Sequence, residues 1–167
     1  MLTGKVAVVT GAAHGIGRAI AVAFAAGVVV IDIAGPVSVA SDAEPATPQE
    51  LDETVRQIKA YGRRSDAIRA AIRDIAALRR AAGTVETNDG TIDIVVADAA
   101  IQRWKPLLEM EDAECHDVID NNLNGTANTI RAFAPKMVAR KHGRIVVLSS
   151  MQGKHGTKDG SSCSAST

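Results

Sequence analysis

Gly11, Gly15 and Gly17 fall between an apolar run and a helical pattern, in the segment Thr10-Gly11-Ala12-Ala13-His14-Gly15-Ile16-Gly17. Glycines in that context suit phosphate binding. A tight turn at Gly11 lets backbone approach a pyrophosphate near Gly15, and Gly17 lets helix and strand pack closely. The free N–H groups and the positive dipole end of the helix that opens there would face the anion. His14 and Ile16 lie inside the same turn, and Arg18 comes directly after it. Asp32 stands twenty-one positions after Gly11, at the end of the next apolar run. A carboxylate there can accept the hydroxyls of an adenosine ribose and would repel an additional phosphate on it. The pattern therefore favours NAD over NADP, with His14 and Arg18 partly offsetting the repulsion. The plainer alternative is a turn without a ligand and an aspartate that only ends a strand.

These residues need strands and helices to hold them. Apolar segments at 5–10, 28–33, 65–70, 92–97 and 144–149 alternate with helical patterns at 15–26, 48–61, 75–88 and 113–140. Such alternation predicts an α/β fold, a doubly wound parallel sheet whose short apolar strands are buried on both faces. Right-handed connections and a reversal of direction after the third strand give the order 3-2-1-4-5, with a crevice between the first and fourth strands. Thr47, Pro48 and Glu50 carry the signature of a capping box with proline at the first helical position. Residues 34–46, rich in Pro, Ser, Ala and Asp, break the alternation. They form either a surface excursion or a lid beside the ligand.

A length of 167 residues with 46% hydrophobic content predicts one domain, residues 1–167, around one core. Nineteen basic residues balance nineteen acidic ones, which argues against nucleic-acid and anionic-membrane partners and for a small-molecule ligand. The longest apolar stretch, 19–31, has thirteen residues, short of the roughly 20 that span a bilayer. The N-terminal residues lack the layout of a signal peptide, so a cytoplasmic protein is expected. Cys115 and Cys163 match neither a disulfide framework nor a zinc spacing, so both are expected as thiols and no metal site is expected.

With the glycine spacing G-x-x-x-G-x-G, the chain resembles the short-chain dehydrogenase/reductase family over nearly its whole length. The resemblance implies a Rossmann fold and an oxidoreductase that moves hydride between nicotinamide and a small alcohol or carbonyl substrate. It also implies a homo-oligomer, docked in relatives through the helix that begins near Ala113. Ala97-Asp98-Ala99-Ala100 is similar to the family's Asn-Ala-Gly at the cofactor. Asp98 stands where the family's asparagine braces the sheet, so either one hydrogen bond of the brace is lost or Asp98 takes up a proton. Asn122, in Asn121-Asn122-Leu123-Asn124-Gly125, falls on the asparagine that supports the proton relay, and Ser150 on the serine that orients substrate. The family's catalytic tyrosine and lysine correspond to Cys163 and Thr167, in a register supported by Ser164-Ala165-Ser166. A thiol is shorter than a phenol and Thr167 brings no positive charge. Impaired chemistry is expected, the alternative being a nucleotide-binding module or fragment without activity.

Further departures accompany these. Gly17 to Asp32 is about three positions shorter than the family's usual span, so the helix between them must lose nearly a turn or the strand must start late. Ala71 replaces a frequent aspartate, and Cys115 a common aromatic. Family members also continue through two more strands after the position of Thr167. The 34–46 excursion resembles an insertion of the carveol dehydrogenase-like, mycofactocin-associated subfamily, where it folds over the cofactor.

Overall fold

Five strands, β1 (Val6–Thr10), β2 (Gly27–Asp32), β3 (Ser65–Arg69), β4 (Ile92–Ala97) and β5 (Arg144–Val147), form one parallel sheet in the computed structural model, in the order β3-β2-β1-β4-β5. This is the expected order. The structure describes residues 2–24, 27–38 and 41–166, and at 162 and 163 the backbone alone.

Successive side chains of a strand point to opposite faces, so a strand with helices on both sides is apolar at every position. Val8, Ile31 and Val95 pack with Leu78, Val85 and Phe133 on one face. Val9, Val30 and Val96 pack with Ala21, Leu51 and Ile58 on the other. These faces are covered by helices α1 (Gly15–Ala23), α2 (Pro48–Ala60), α3 (Ile75–Asn88), α4 (Asp112–Ile119) and α5 (Gly125–Ala139); a sixth helix, α6 (Ser161–Ser166), comes after β5. The capping box forms as expected: Glu50 N–H donates to Thr47 Oγ1 at 3.2 Å and Thr47 N–H donates to Glu50 Oε2 at 2.8 Å.

Burial on both faces fails at the two edges. In β3 only Ser65 is buried, and all four residues of β5 are exposed. An edge strand has one neighbour, and among the described residues nothing pairs with the outer side of β5. β5 also ends at Val147, two residues before the expected 149. The 113–140 helix is interrupted by a π-helical turn, Asp120–Asn124, between α4 and α5. One additional residue per turn is accommodated where Asn121 and Asn122 are buried. The short span between Gly17 and Asp32 is taken up by the helix, because α1 stops at Ala23 while β2 starts at Gly27. Residues 25 and 26, on which part of that expectation fell, lie outside the described residues.

Candidate functional site

A cleft of about 400 Å³ opens at the C-terminal ends of β1, β2 and β4, where the strand order reverses and ligands bind in folds of this kind. Gly11, His14, Gly15 and Ile16 line it from the first turn, Asp32 from β2, and Asp98, Ala99 and Ala100 from β4. Gly17 sits behind this lining and is buried. Every residue expected to bind cofactor therefore converges at one end of the sheet.

The glycines are required by geometry. Gly11 has φ +71°, and a Cβ there would lie 2.8 Å from the backbone N and Cα of Ala99. A Cβ on Gly17 would lie 2.3 Å from Gly11 O and 2.8 Å from Asp98 Oδ2. The turn after β1 and the segment after β4 thus pack at a distance that only glycine permits. The cradle that results, open above Gly15, fits a pyrophosphate at the α1 N-terminus.

Asp32 is held by backbone. Ala13 N–H donates to its Oδ2 at 3.1 Å and Ala34 N–H to its Oδ1 at 2.9 Å. Each carboxylate oxygen keeps acceptor capacity toward the cleft. Ala34 adopts φ 47° in this position, a left-handed conformation uncommon outside glycine, and it turns the chain into the 34–46 excursion. That excursion borders the ligand space, with Pro36, Val37, Ser38, Pro45 and Ala46 on the cleft wall. Arg73 donates to Val37 O at 2.7 Å and to Asp117 at 3.0 Å, and Ser38 bonds the same Asp117. Asp42 accepts from Trp104 N–H and from Arg103, both at 2.6 Å. The Trp104 N–H foremost, with Arg103, holds the Asp42 carboxyl below its usual range. Glu114 binds Lys105 at 2.7 Å and Arg103 at 2.6 Å, and the Lys105 bond and the Glu111 N–H lower its pKa to about 2.

Thr10 supplies a brace that nothing in the residue spacing reveals. Its hydroxyl donates to Val96 O at 3.4 Å and accepts from the N–H groups of Asp98 and Ala99 at 3.3 and 3.4 Å. The Asp98 carboxylate instead faces Gly17, where a Cβ would lie 2.8 Å from its Oδ2; burial raises its pKa, against the lowering effects of the Gly17 backbone N–H and of His14. Asn121 and Ile72 also line the cleft. A Cβ on Gly125 would lie 2.6 Å from Ile72 Cδ1, so Gly125 lets α5 close upon Ile72 beneath the ligand space.

The residues expected to perform chemistry are less closely assembled. Asn122 is buried; its Oδ1 accepts from Ile101 N–H at 2.9 Å, and its Nδ2 donates to Ile101 O at 2.8 Å and to Ser166 Oγ at 3.1 Å. It thereby ties the π-helical turn to α6. Ser150 is exposed after β5, and its Oγ accepts from Gln152 N–H at 3.2 Å, capping a short 3₁₀ turn, Met151–Gly153. Cys163 is described only as part of the α6 backbone, and Thr167 lies outside the described residues. No described helix is long and apolar enough to cross a membrane.

The family model for short chain dehydrogenase matches residues 5–167. An uncharacterized NAD-dependent oxidoreductase of Mycobacterium tuberculosis is 44% identical over 160 residues, covering 93% of this chain and 58% of that protein. The crystal structure of a short chain dehydrogenase from Mycobacterium paratuberculosis bound to NAD has a TM-score of 0.95 at 36% identity, covering 99% of this chain and 62% of that one. Carveol dehydrogenase from Mycobacterium avium in complex with NAD has a TM-score of 0.93 at 33% identity, covering 98% and 61%. The chain spans about three fifths of the length of these relatives.

Proposed function

The chain belongs to the short-chain dehydrogenase family, and from that premise we propose that its cleft holds NAD for hydride exchange with a small alcohol or carbonyl compound. The observation that carries this reading is the Asp32 carboxylate, fixed by the Ala13 and Ala34 N–H groups at the edge of the glycine-lined cleft. Asp32 would accept the adenosine ribose hydroxyls and disfavour the added phosphate of NADP. The N–H groups around Gly15 and Ile16 would receive the pyrophosphate. Asp98, Ala99 and Ala100 would flank the neighbouring ribose, and the excursion after β2 would shield the nucleotide from water. When bound, NAD supplies the hydride acceptor or donor. Asn122 would hold the proton relay through α6, and Ser150 would orient the substrate oxygen.

Cys163 and Thr167 stand at the positions of the proton-transferring tyrosine and its lysine, so the chemical step should be slow. General acid or base catalysis contributes about 10² to 10⁴ in rate. This favours a second reading, a nucleotide-binding module that keeps the crevice without the chemistry. Titration calorimetry with NAD and NADP, then nicotinamide absorbance across an alcohol panel, distinguishes them. NAD binding with negligible turnover is expected, with activity recovered by Cys163→Tyr/Thr167→Lys only in a chain that also carries the two further strands of family members. Robust turnover by the unaltered chain would show that residues 163 and 167 do not limit it. Failure to bind either nucleotide would remove the site assignment. Homo-oligomerisation through the 112–139 region is supported by exposed Leu123 and Val138, and light scattering would measure it. A cytoplasmic location and the absence of nucleic-acid or membrane partners belong to the same reading.

A further inference from the structure

The cleft contains a carboxylate that its proposed ligand would repel. Asp98 lines the cleft and is half-buried. Its carboxylate faces Gly17 at the start of α1, where a Cβ would lie 2.8 Å from its Oδ2. The carboxylate therefore occupies the same helix N-terminus toward which a pyrophosphate would direct its charge. The facing charged and titratable groups are His14, from the turn after β1, and Asp32, from the end of β2. β1 presents the Thr10 hydroxyl, which binds the Asp98 N–H rather than the carboxylate. Arg18, the nearest guanidinium in sequence to the glycine turn, is turned away to Ala13 O, Glu50 O and Thr54 Oγ1. Among the described residues no lysine or arginine forms an ion pair with Asp98.

We propose that Asp98 makes nucleotide binding proton-linked: the dinucleotide is held by the site with Asp98 protonated, and binding draws a proton from the buffer onto this carboxyl group. The proposal rests on the reading of the cleft as an NAD site. Protonation removes one negative charge from beside the pyrophosphate. It also converts one carboxyl oxygen into a donor toward a phosphate or ribose oxygen while the other still faces the Gly17 N–H as an acceptor. Burial already disfavours the ionised form, with Asp32 adding to it and Gly17 N–H and His14 opposing it. A bound anion shifts the balance further toward the acid.

A carboxyl whose pKa is higher in the complex than in the free protein gives the tightest binding below its free-protein pKa. Affinity then falls as pH rises from that value to the pKa of the complex, tenfold for each unit between them. Calorimetric titration with NAD from about pH 5 to about pH 8.5 should therefore show Kd rising about tenfold. Titrations at one pH in two buffers of different ionisation heat should show net proton uptake. Asp98→Asn removes the charge and keeps an acceptor for Gly17 N–H, so it should bind NAD about tenfold more tightly than the unaltered chain at the upper end of the range. His14 also faces the site, and His14→Asn separates its contribution from that of Asp98. The alkaline loss of affinity and the proton uptake should persist in His14→Asn and disappear in Asp98→Asn. A pH-independent Kd, an unchanged slope in Asp98→Asn, or weaker binding by that variant at high pH would each overturn the proposal. If NAD binds to no form at any pH, the nucleotide reading itself falls and this inference with it; NAD binding without the pH slope defeats the inference alone.

Discussion

The two strands that lead to the cleft and to the expected substrate side, β1 and β5, differ in how they are supported. All five residues of β1 are buried between helices, while all four of β5 are exposed, Ile145 at 39%, Val146 at 47% and Val147 at 45%. The turn beyond β1 is shaped by backbone. Gly11 meets Ala99, Gly17 meets Gly11 O, and the Ala13 and Ala34 N–H groups hold Asp32. The segment beyond β5 depends on side chains carried by an edge strand, a short 3₁₀ turn and a six-residue helix. A cradle made of main chain keeps its shape through changes of side chain, such as Ala71 and Asp98, because that shape comes from packing and φ/ψ values. A proton relay made of side chains does not tolerate them, since each replacement removes a specific group.

That contrast can be broken most directly by matched truncations. Ile31→Ala, at a fully buried position of β2, should destabilise by about 4 kcal/mol, and Ile145→Ala in β5 by less than about 1 kcal/mol, measured by urea denaturation. Equal losses would mean that β5 is covered in solution. Gly17→Ala should come next, at about 3 kcal/mol, because the new methyl meets Gly11 O, a backbone atom that cannot rotate away. Loss of NAD binding should accompany the lowered Tm. A smaller effect is expected at Asp32→Ala. Removing the carboxylate should narrow the calorimetric preference for NAD over NADP by about tenfold, or ~1.4 kcal/mol, and equal binding before the change would defeat the role given to Asp32.

The smallest expected effect concerns the ties between the 34–46 excursion and α4. Glu114 has its pKa lowered from 4.5 to about 2. A carboxyl group depressed in the folded state contributes stability that is present above its unfolded pKa and lost as pH falls through the folded one. The contribution of Glu114 should be complete above about pH 4.5 and fade toward about pH 2. Glu114→Gln should flatten this part of the acid denaturation curve while leaving stability at alkaline pH parallel to that of the unaltered chain. An unchanged acid limb would show that the ion cluster adds nothing in solution.

Much of the cleft end was legible in the residues themselves. The G-x-x-x-G-x-G spacing, the aspartate at the end of the second apolar run and the Thr47–Glu50 box are local codes. Each depends on chain conformation over a few residues and reads the same before and after folding. The alternation of apolar and helical segments likewise determined the parallel sheet and its order, since handedness and short connections leave few arrangements. Tertiary structure alone decided the rest. Val146 and Val147 have the composition of a buried strand, yet their exposure depends on what lies beside β5. The 113–140 periodicity contains no signal for the π-helical turn, which accommodates Asn122 bonding to Ile101, twenty-one positions away. Thr10 as a brace, the excursion as a cleft wall and the lack, among the described residues, of a lysine or arginine paired with Asp98 are likewise products of contacts between distant segments. Hydrophobic periodicity records which face of an element is buried; it carries no record of which polar group from elsewhere in the chain will arrive at a given atom, and at this cleft those arrivals set the charge.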